Sequence, residues 1–547
     1  MSSLLVLLAP EIVLFMTTCI VMIVGLWPKL EVRSLAMPIA GMGLLIAGVL
    51  AINTPSNPES ILPNIIPYAK AMTAGVGLLL VLLLAGTVDR SYEAAVERGE
   101  LRFNPIHTNR AEFFAFFLFS LTGLMLCASA TDLIWLFLAL ELVSLPTYVM
   151  ATISTRKLKS QEAGVKYFFL GALGAAIFLY GFALLYGGTG TTNLIGIRDA
   201  LAEQAASGGI NPIAMAGIIL SLIGISFKIA AVPMHFYTAD VYQGAAAPVS
   251  AMLAFVPKTA GFIAMMGILA AVGWQYAPGG EALAADGVGS LPRSIYVTLA
   301  AIAVLTMTVG NVLALMQRSI KRLLAYSSIA HTGYMLVALI AGPSIAAEAG
   351  ITSNGLGAVL FYLLVYGVTN IGAFAVVACL ERPQPDGEAD ELDDLEDLRG
   401  LCRTRPVLGW VMVICALGLL GLPPLLGFWA KFLLFTSAIS AGEIALVVIL
   451  GLNSAIAAFY YLKLVALPLL EEPEGDAPAT TPFASRTIAG VVSAALVLLA
   501  IIPTGIVDAA MEAADRAGTI VPANIEAIER SITAEAIRDE PAPTVDR

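Results

Sequence analysis

The sequence predicts an all-α polytopic membrane protein that crosses the bilayer about fourteen times, and three observations predict it. Hydrophobic residues make up 59% of the 547 and charged residues only 13%, against about 25% charged in a water-soluble domain. The apolar residues come in runs of about 20, the length that spans a hydrocarbon core of about 30 Å. Lysine and arginine gather in alternate connections between those runs, the bias that orients membrane proteins. Runs this long suit helices, because lipid offers no partner to an unpaired backbone amide.

In chain order, span 1 (4–27) follows no basic segment and is too long for a cleaved signal, so it reads as an uncleaved span. Spans 2 and 3 (35–53 and 69–88) complete an N-terminal three-helix region that ends with its loop at residue 110. Spans 4 to 8 follow at 111–129, 132–152, 164–187, 211–232 and 245–272. Spans 9 to 13 follow at 294–317, 321–341, 354–380, 407–438 and 441–467. Span 14 covers 486–507, and 508–547 is a polar tail.

Eighteen of the 29 Lys and Arg residues fall in the connections after odd-numbered spans, beginning with Lys29 and ending with Arg486. Three fall on the other side (Lys70, Arg198, Arg293) and four in the tail. This asymmetry places the odd connections in the cytoplasm and both termini on the periplasmic side. The net charge of −11 marks no basic partner, since nine acidic residues crowd into "ERPQPDGEADELDDLED" (381–397), which reads as a solvated loop like "EEPEGD" (471–476). No basic patch points to nucleic acid. The five cysteines form no CxxC pair and the three histidines are far apart. These spacings assemble neither a zinc site nor an iron–sulfur cluster.

Four lysines remain, all inside spans: Lys166, Lys228, Lys258 and Lys431. Glu11, Glu141 and His331 also lie in spans, and His235 sits just past Pro233. An intramembrane charge costs roughly 2.5–3.5 kcal/mol on insertion scales, so such residues face a protein interior and mark ion or proton paths. Prolines stand beside several of them: Pro146 near Glu141, Pro233 near Lys228, Pro257 beside Lys258, Pro423 and Pro424 before Lys431. Each proline strips a hydrogen bond from the carbonyl four residues earlier, and an open carbonyl can solvate an ammonium or hold water. Lys228 in span 7 and Lys431 in span 12 lie five spans apart, so their helices run in opposite directions. Two broken helices so placed are what an inverted repeat of spans 4–8 (111–272) and 9–13 (294–467) produces.

Glu141 and Lys228 form a candidate pair. Moving one proton against ~150–200 mV takes ~3.5–4.6 kcal/mol, and gain or loss of a carboxylate neighbour changes a buried lysine's proton affinity by a similar amount. Arginine would stay charged, and no arginine lies in a span interior. Lys258 falls mid-span with no flanking charge and is the central candidate. His235 and His331 suit proton relays, or pack as hydrogen-bonded ring residues. Lys166, near the start of span 6, either points inward or snorkels to the interface. Glu11 sits near a span end and reads as no part of the path, and Glu112 and Asp132, at the starts of spans, read as interfacial.

The string "KIAAVPMHFYTADVYQGAAAPVSAMLAFVPKTAGF" resembles the proton-translocating, antiporter-like membrane subunits of respiratory complex I and of multisubunit Na⁺/H⁺ antiporters. "LALELVSLPTYVM", "EAGVKYFFLGALG", "RLLAYSSIAHTGYM" and "GLPPLLGFWAKF" support the resemblance, which covers nearly the whole chain. Among the subunits of that family, one combines fourteen spans, a span-12 lysine and no long lateral helix, and this chain is similar to that one. The resemblance implies a non-redox subunit of NADH:quinone oxidoreductase, of the translocase class, in a bacterial inner membrane. It implies a proton pathway through Glu141, Lys166, Lys228, His235, Lys258, His331 and Lys431, with Lys431 as the gate to the far side. NADH, FMN, iron–sulfur clusters and quinone would belong to other subunits, and this chain would hold no cofactor and no metal. Its partners would be related antiporter-like subunits, small helical subunits and the lipid bilayer. Pro257 departs from the family pattern, and the acidic loop and tail look like additions. An Mrp-type antiporter subunit and a purely structural assembly subunit remain the alternatives.

Overall fold

The computed structural model describes residues 2–104, 107–155, 157–207, 209–274, 291–343, 354–383, 389–473, 484–499 and 503–514. The tail beyond 514, the tip of the acidic loop at 384–388 and residues 474–476 lie outside the described residues. The first helices are α1 (Ser2–Leu7), α2 (Ala9–Gly25), α3 (Leu30–Arg33), α4 (Ala36–Ile52), α5 (Ile65–Leu84) and α6 (Arg90–Glu97). Then come α7 (Arg110–Ala128), α8 (Leu133–Ile153), α9 (Leu158–Thr189), α10 (Leu194–Ala206), α11 (Pro212–Ser226), α12 (Thr238–Gly244) and α13 (Ala247–Val272). The second half holds α14 (Arg293–Leu315), α15 (Ile320–Ala341), α16 (Gly355–Cys379), α17 (Leu401–Thr404), α18 (Pro406–Leu420), α19 (Leu426–Ser440) and α20 (Ile444–Leu470). The last are α21 (Ala484–Leu499) and α22 (Thr504–Ala514).

Ten helices among the described residues are long and apolar enough to cross a membrane. The four other expected spans fall on shorter helices: α1 with α2, α11 continued past its break by α12, α18 with α19, and α21. Every expected span therefore falls largely on helix among the described residues. α22 carries helical structure seven residues into what reads as tail, to Ala514. Five helices, α3, α6, α10, α12 and α17, fall in the expected connections, α6 and α10 because neither is apolar enough to read as a span.

Spans 4–8 (α7, α8, α9, α11 with α12, α13) and spans 9–13 (α14, α15, α16, α18 with α19, α20) share one order: three continuous helices, a broken one, a continuous one. Small residues bring helix pairs together, as is usual in lipid, where no hydrophobic force sorts helix from tail. A methyl group at Gly181 of α9 would stand 2.5 Å from the Ser221 amide of α11, and one at Gly310 of α14 would stand 2.6 Å from the Ala330 amide of α15. The centre belongs to α13, α15 and α16, which are buried along nearly their whole lengths, while α2, α4, α9 and α20 turn most of their surface outward. Outward side chains such as Phe15, Leu45, Phe169 and Phe459 are apolar, as a lipid-facing surface requires.

Two readings of the sequence need correction. Lys70 is no loop residue, and Glu11 is more than a residue near a span end: they meet as a buried ion pair at 2.8 Å, with side chains 0% and 4% exposed. Lys70 also donates to the Leu7 carbonyl, and Ser129 donates to Glu11. A lysine at the first turns of a helix looks interfacial in sequence; a carboxylate one turn into a neighbouring helix draws it inward. The acidic segment is not simply a solvated loop. Its strands β1 (Glu381–Pro383) and β2 (Ala389–Glu391) pair antiparallel. Glu381 bridges Arg90 and Arg486, Glu391 accepts from the Ala247 amide and from Lys321, and Asp393 accepts from Ser319 and the Lys321 amide. Carboxylates aimed at the starts of α13 and α15 satisfy amides that have no partner inside their own helices. The segment is a strap that fastens helix ends.

Candidate functional site

The prolines act in two ways. Pro146 and Pro257 ride inside the continuous helices α8 and α13, so neither breaks its span. Pro233, with Pro423 and Pro424, lies in a true interruption, residues 227–237 between α11 and α12 and 421–425 between α18 and α19. The first interruption places Ala230 at φ 57°, a conformation that costs a non-glycine residue about 1–3 kcal/mol and collects at functional sites. Its freed backbone groups are claimed by other parts of the bundle. Thr332 donates to the Ile229 carbonyl at 2.8 Å, Tyr237 to the Phe227 carbonyl at 2.8 Å, and the Val232 amide donates to Thr306 at 2.9 Å.

Lys228 begins this interruption. Its Nζ lies 3.0 Å from Glu141 Oε1 and 2.6 Å from Ser144 Oγ, and both partners sit on α8. Asp132 caps α8 by accepting from the Ile134 and Trp135 amides, each at 2.9 Å, which fixes the register that presents Glu141. The rings of Phe178 and Phe227 stand 5.6 and 5.9 Å from the ammonium. The Lys228 side chain is 1% exposed and the Glu141 side chain 19%.

Lys258, in the middle of α13, has neutral partners. Nζ donates to the Ser328 carbonyl at 2.5 Å and to its hydroxyl at 2.6 Å, and stands 4.8 Å from the Tyr366 ring centre. Thr332 donates to the same Ser328 carbonyl at 3.1 Å, so one hydroxyl touches both the Lys258 station and the Ile229 carbonyl of the break. One turn along α15, His331 lies between two phenols: Nδ1 is 2.7 Å from the Tyr362 hydroxyl and Nε2 2.7 Å from that of Tyr461. Ser327 bonds Tyr461 as well. A neutral imidazole donates from one nitrogen and accepts at the other, so these two hydroxyls suit either tautomer and a proton can pass across the ring.

Lys431 lies on α19, just past the second interruption. It donates to the Leu420 carbonyl at 2.8 Å and to Ser454 at 3.3 Å. Leu420 is the last residue of α18, so the break supplies a carbonyl to an ammonium as the prolines imply. Tyr334 presents its ring 5.5 Å from Lys431. Asn311 donates to the Tyr334 hydroxyl at 2.8 Å and accepts from Tyr460 at 2.9 Å.

Of the seven residues singled out in the sequence, Glu141 and Lys228 are joined directly, and Lys258, His331 and Lys431 each bond hydroxyl groups of their own. The other two stand apart from this row. Lys166 is 42% exposed and pairs with Glu162 and with Asp240, at 2.7 and 2.9 Å. His235 lies buried in the first interruption, and its Nδ1 finds no hydrogen-bond partner among the described residues. Sequence reasoning missed the tyrosines (334, 362, 366, 460 and 461) and Ser144, Ser328 and Asn311. A signal existed, since a phenol inside a span needs a partner and Tyr362 and Tyr366 share a helix face. Among the described residues no group of three or more His, Cys, Asp or Glu could hold a metal ion.

Comparison with known proteins agrees with this geometry. Residues 130–457 match the signature of the family described as NADH:quinone oxidoreductase/Mrp antiporter, transmembrane. The chain belongs to this family. Within the family, a protein of Roseiflexus castenholzii named NADH-quinone oxidoreductase subunit N 2 is 39% identical over 73% of this chain and 76% of its own length. A subunit N of Rhodospirillum rubrum is 34% identical over 92% of this chain and 96% of its own. In the solved respiratory complex I of Thermus thermophilus with bound aureothin, one chain superposes with a TM-score of 0.69 at 31% identity, covering 91% of this chain and 97% of that one. A chain of the Mrp complex from Dietzia sp. superposes with a TM-score of 0.71 at 19% identity, over 95% of this chain and 98% of that one; at that identity the likeness is one of fold. The family signature begins at residue 130, so the Glu11–Lys70 pair lies outside it.

Proposed function

We propose that this chain is subunit N of a bacterial NADH-quinone oxidoreductase and moves protons through its row of buried Glu, Lys and His residues without a redox centre of its own. The names of its relatives support the assembly, and the row itself supports the activity. The observation that carries the reading is that Lys228, Lys258, His331 and Lys431, spread over both five-span units, are all buried and each bonds a serine or tyrosine hydroxyl. Such groups solvate charge and pass protons, and a lipid-facing or dry-packed arrangement would do neither. Glu141 holds Lys228 charged, Lys258 is the central station, His331 relays and Lys431 faces the outlet. Lys166 and His235 serve proton entry from the cation-rich face, which is the cytoplasmic one, and both termini lie in the periplasm. The redox groups belong to partner subunits, and the force that drives the row arrives through contacts with them.

The test is Lys258→Ala in the assembled complex. The expected result is normal assembly with loss of proton pumping and slowed coupled NADH oxidation. A parental ratio of protons pumped to electrons transferred would assign the chain a structural role instead.

A further inference from the structure

The cation-rich end of the broken span 7 carries an arrangement that the pathway above does not use. α12 is the second half of that span, and it is joined to α11 only through the interrupted residues 227–237. Its Asp240 is shared between two cations from two different spans. Oδ2 lies 2.9 Å from Lys166 Nζ on α9, and Oδ1 lies 2.7 Å from Arg322 Nη1 on α15. The charged groups gathered there are therefore Asp240, Lys166, Glu162, which is 2.7 Å from Lys166, and Arg322. Asp240 and Lys166 are each about two-fifths exposed, so water reaches them.

The two anchors differ in kind. A guanidinium does not give up its proton in a protein, while a lysine can. Arg322 is further held in place by Gln317, at 3.1 Å. It stands six residues from Ser328 on α15, about 9 Å along the helix, and Ser328 binds Lys258. Thr332 of α15 holds the interrupted segment at Ile229. α15 thus grips the broken span at two points, one at the break and one at Asp240. Lys166 grips it at the second point only.

We propose that Asp240 is a positioning residue for proton entry: it holds α12 through a permanent anchor to Arg322 and a releasable anchor to Lys166. Loss of the proton from Lys166 to water leaves Asp240 a single charged anchor and loosens α12 against α9. The set of the broken span, and with it the ends of the segment that carries Lys228 and His235, then follows the occupancy of the entry site. This inference rests on the reading of the chain as a proton translocator.

The test compares Asp240→Asn, Asp240→Glu and Lys166→Met in the intact complex, measuring protons pumped per electron together with hydrogen–deuterium exchange of residues 238–244. Loss of one partly exposed ion pair predicts about fivefold faster exchange across 238–244 in Lys166→Met, and Asp240→Asn, which loses both pairs, should exchange at least as fast. Exchange in the body of α15 should not change. Pumping should fall in both, and Asp240→Glu should restore pumping and protection. Parental pumping in Asp240→Asn, or faster exchange with no change in pumping, overturns the proposal. If Asp240→Asn does not assemble, Lys166→Met decides on the same two readouts. Lys258→Ala, measured alongside, separates the two ideas: if it pumps normally the translocator reading fails, and if it is inactive while both entry variants behave as parent, the anchor proposal fails together with the entry role of Lys166, and the translocator reading stands.

Discussion

Replacing Lys228 by arginine separates a charge that must be present from a proton that must move. The ammonium sits 3.0 Å from Glu141 and 2.6 Å from Ser144, between two phenylalanine rings. A guanidinium placed there keeps the ion pair, and with it the several kcal/mol that a buried carboxylate left unpaired would cost. The energetics of release differ sharply. At pH 7 an ordinary lysine gives up its proton for about 4.7 kcal/mol and an arginine for at least about 7.5. A potential of ~150–200 mV supplies ~3.5–4.6 kcal/mol per proton. Lysine lies within reach of that supply and arginine about 3 kcal/mol beyond it, a factor of more than 100. Lys228→Arg is therefore expected to assemble and to pump at under a hundredth of the parental rate. The assay is quenching of a pH-sensitive dye in inverted membrane vesicles, with assembly checked on native gels. Lys228→Met is the companion, removing the charge altogether and predicted to pump no better. Parental pumping by the arginine variant would refute the reasoning, since Lys228 would then act only as a fixed charge.

Two further predictions concern the frame. A methyl group at Gly427 would stand 1.8 Å from the Gly418 carbonyl, and backbone cannot yield as a side chain can. Gly427→Ala is expected to cost about 1–3 kcal/mol or more by overpacking and to lower the yield of assembled complex, while Gly75→Ala, which meets nothing within 4 Å, should not; blue-native gels report both. Outside the membrane, burial raises Glu93 on α6 from 4.5 to about 7, a shift that its contact with Arg110 reduces without reversing. A carboxyl raised in the folded state stabilises below its unfolded value and loses that contribution as pH climbs through the folded one. Protection of residues 90–104 from proteolysis should accordingly decline between pH 4.5 and about 7 and level off above, and Glu93→Gln should flatten the profile.

The spans were legible because hydropathy is a property of runs, and lipid tolerates little else. Lys228, Lys258 and Lys431 were legible for the same reason: an ammonium in an apolar run has to be explained. The partners were less so. Glu141 could be matched to Lys228 as an opposite charge, but Ser328 and the tyrosines around His331 look like ordinary span residues until three helices are brought together. Pro146 and Pro257 show the limit of a local rule, since their helices continue through the missing hydrogen bond. Lys70 shows another limit. Its position at the start of a span reads as interfacial, and only the packing of α2 and α5 against α7 reveals Glu11 waiting for it, itself held by Ser129. The acidic segment misled in the opposite sense, because charge density resembles solvation whether the carboxylates face water or the open ends of helices.

The three central lysines differ in what surrounds them, and the difference has a direction. Lys228 faces a carboxylate, which favours the charged form and opposes release. Lys258 and Lys431 face carbonyl oxygens and hydroxyls, which are neutral. A carbonyl can only accept, so it favours the ammonium. A serine hydroxyl accepts from an ammonium and, on turning, donates to a neutral amine, so Ser328 and Ser454 serve both protonation states. Stations of this kind hold their charge less firmly than one beside a carboxylate and respond more to whatever charge lies next to them. On the proposed pathway, a proton leaving Lys228 would meet, in Lys258, a site whose occupancy its neighbours decide, and the carboxylate Glu141 would stand at the end of the row where a preference is useful. Were a carboxylate placed beside Lys258 as well, the row would hold its charge more tightly and pass it on more slowly. The neutral partners keep the middle of the row responsive.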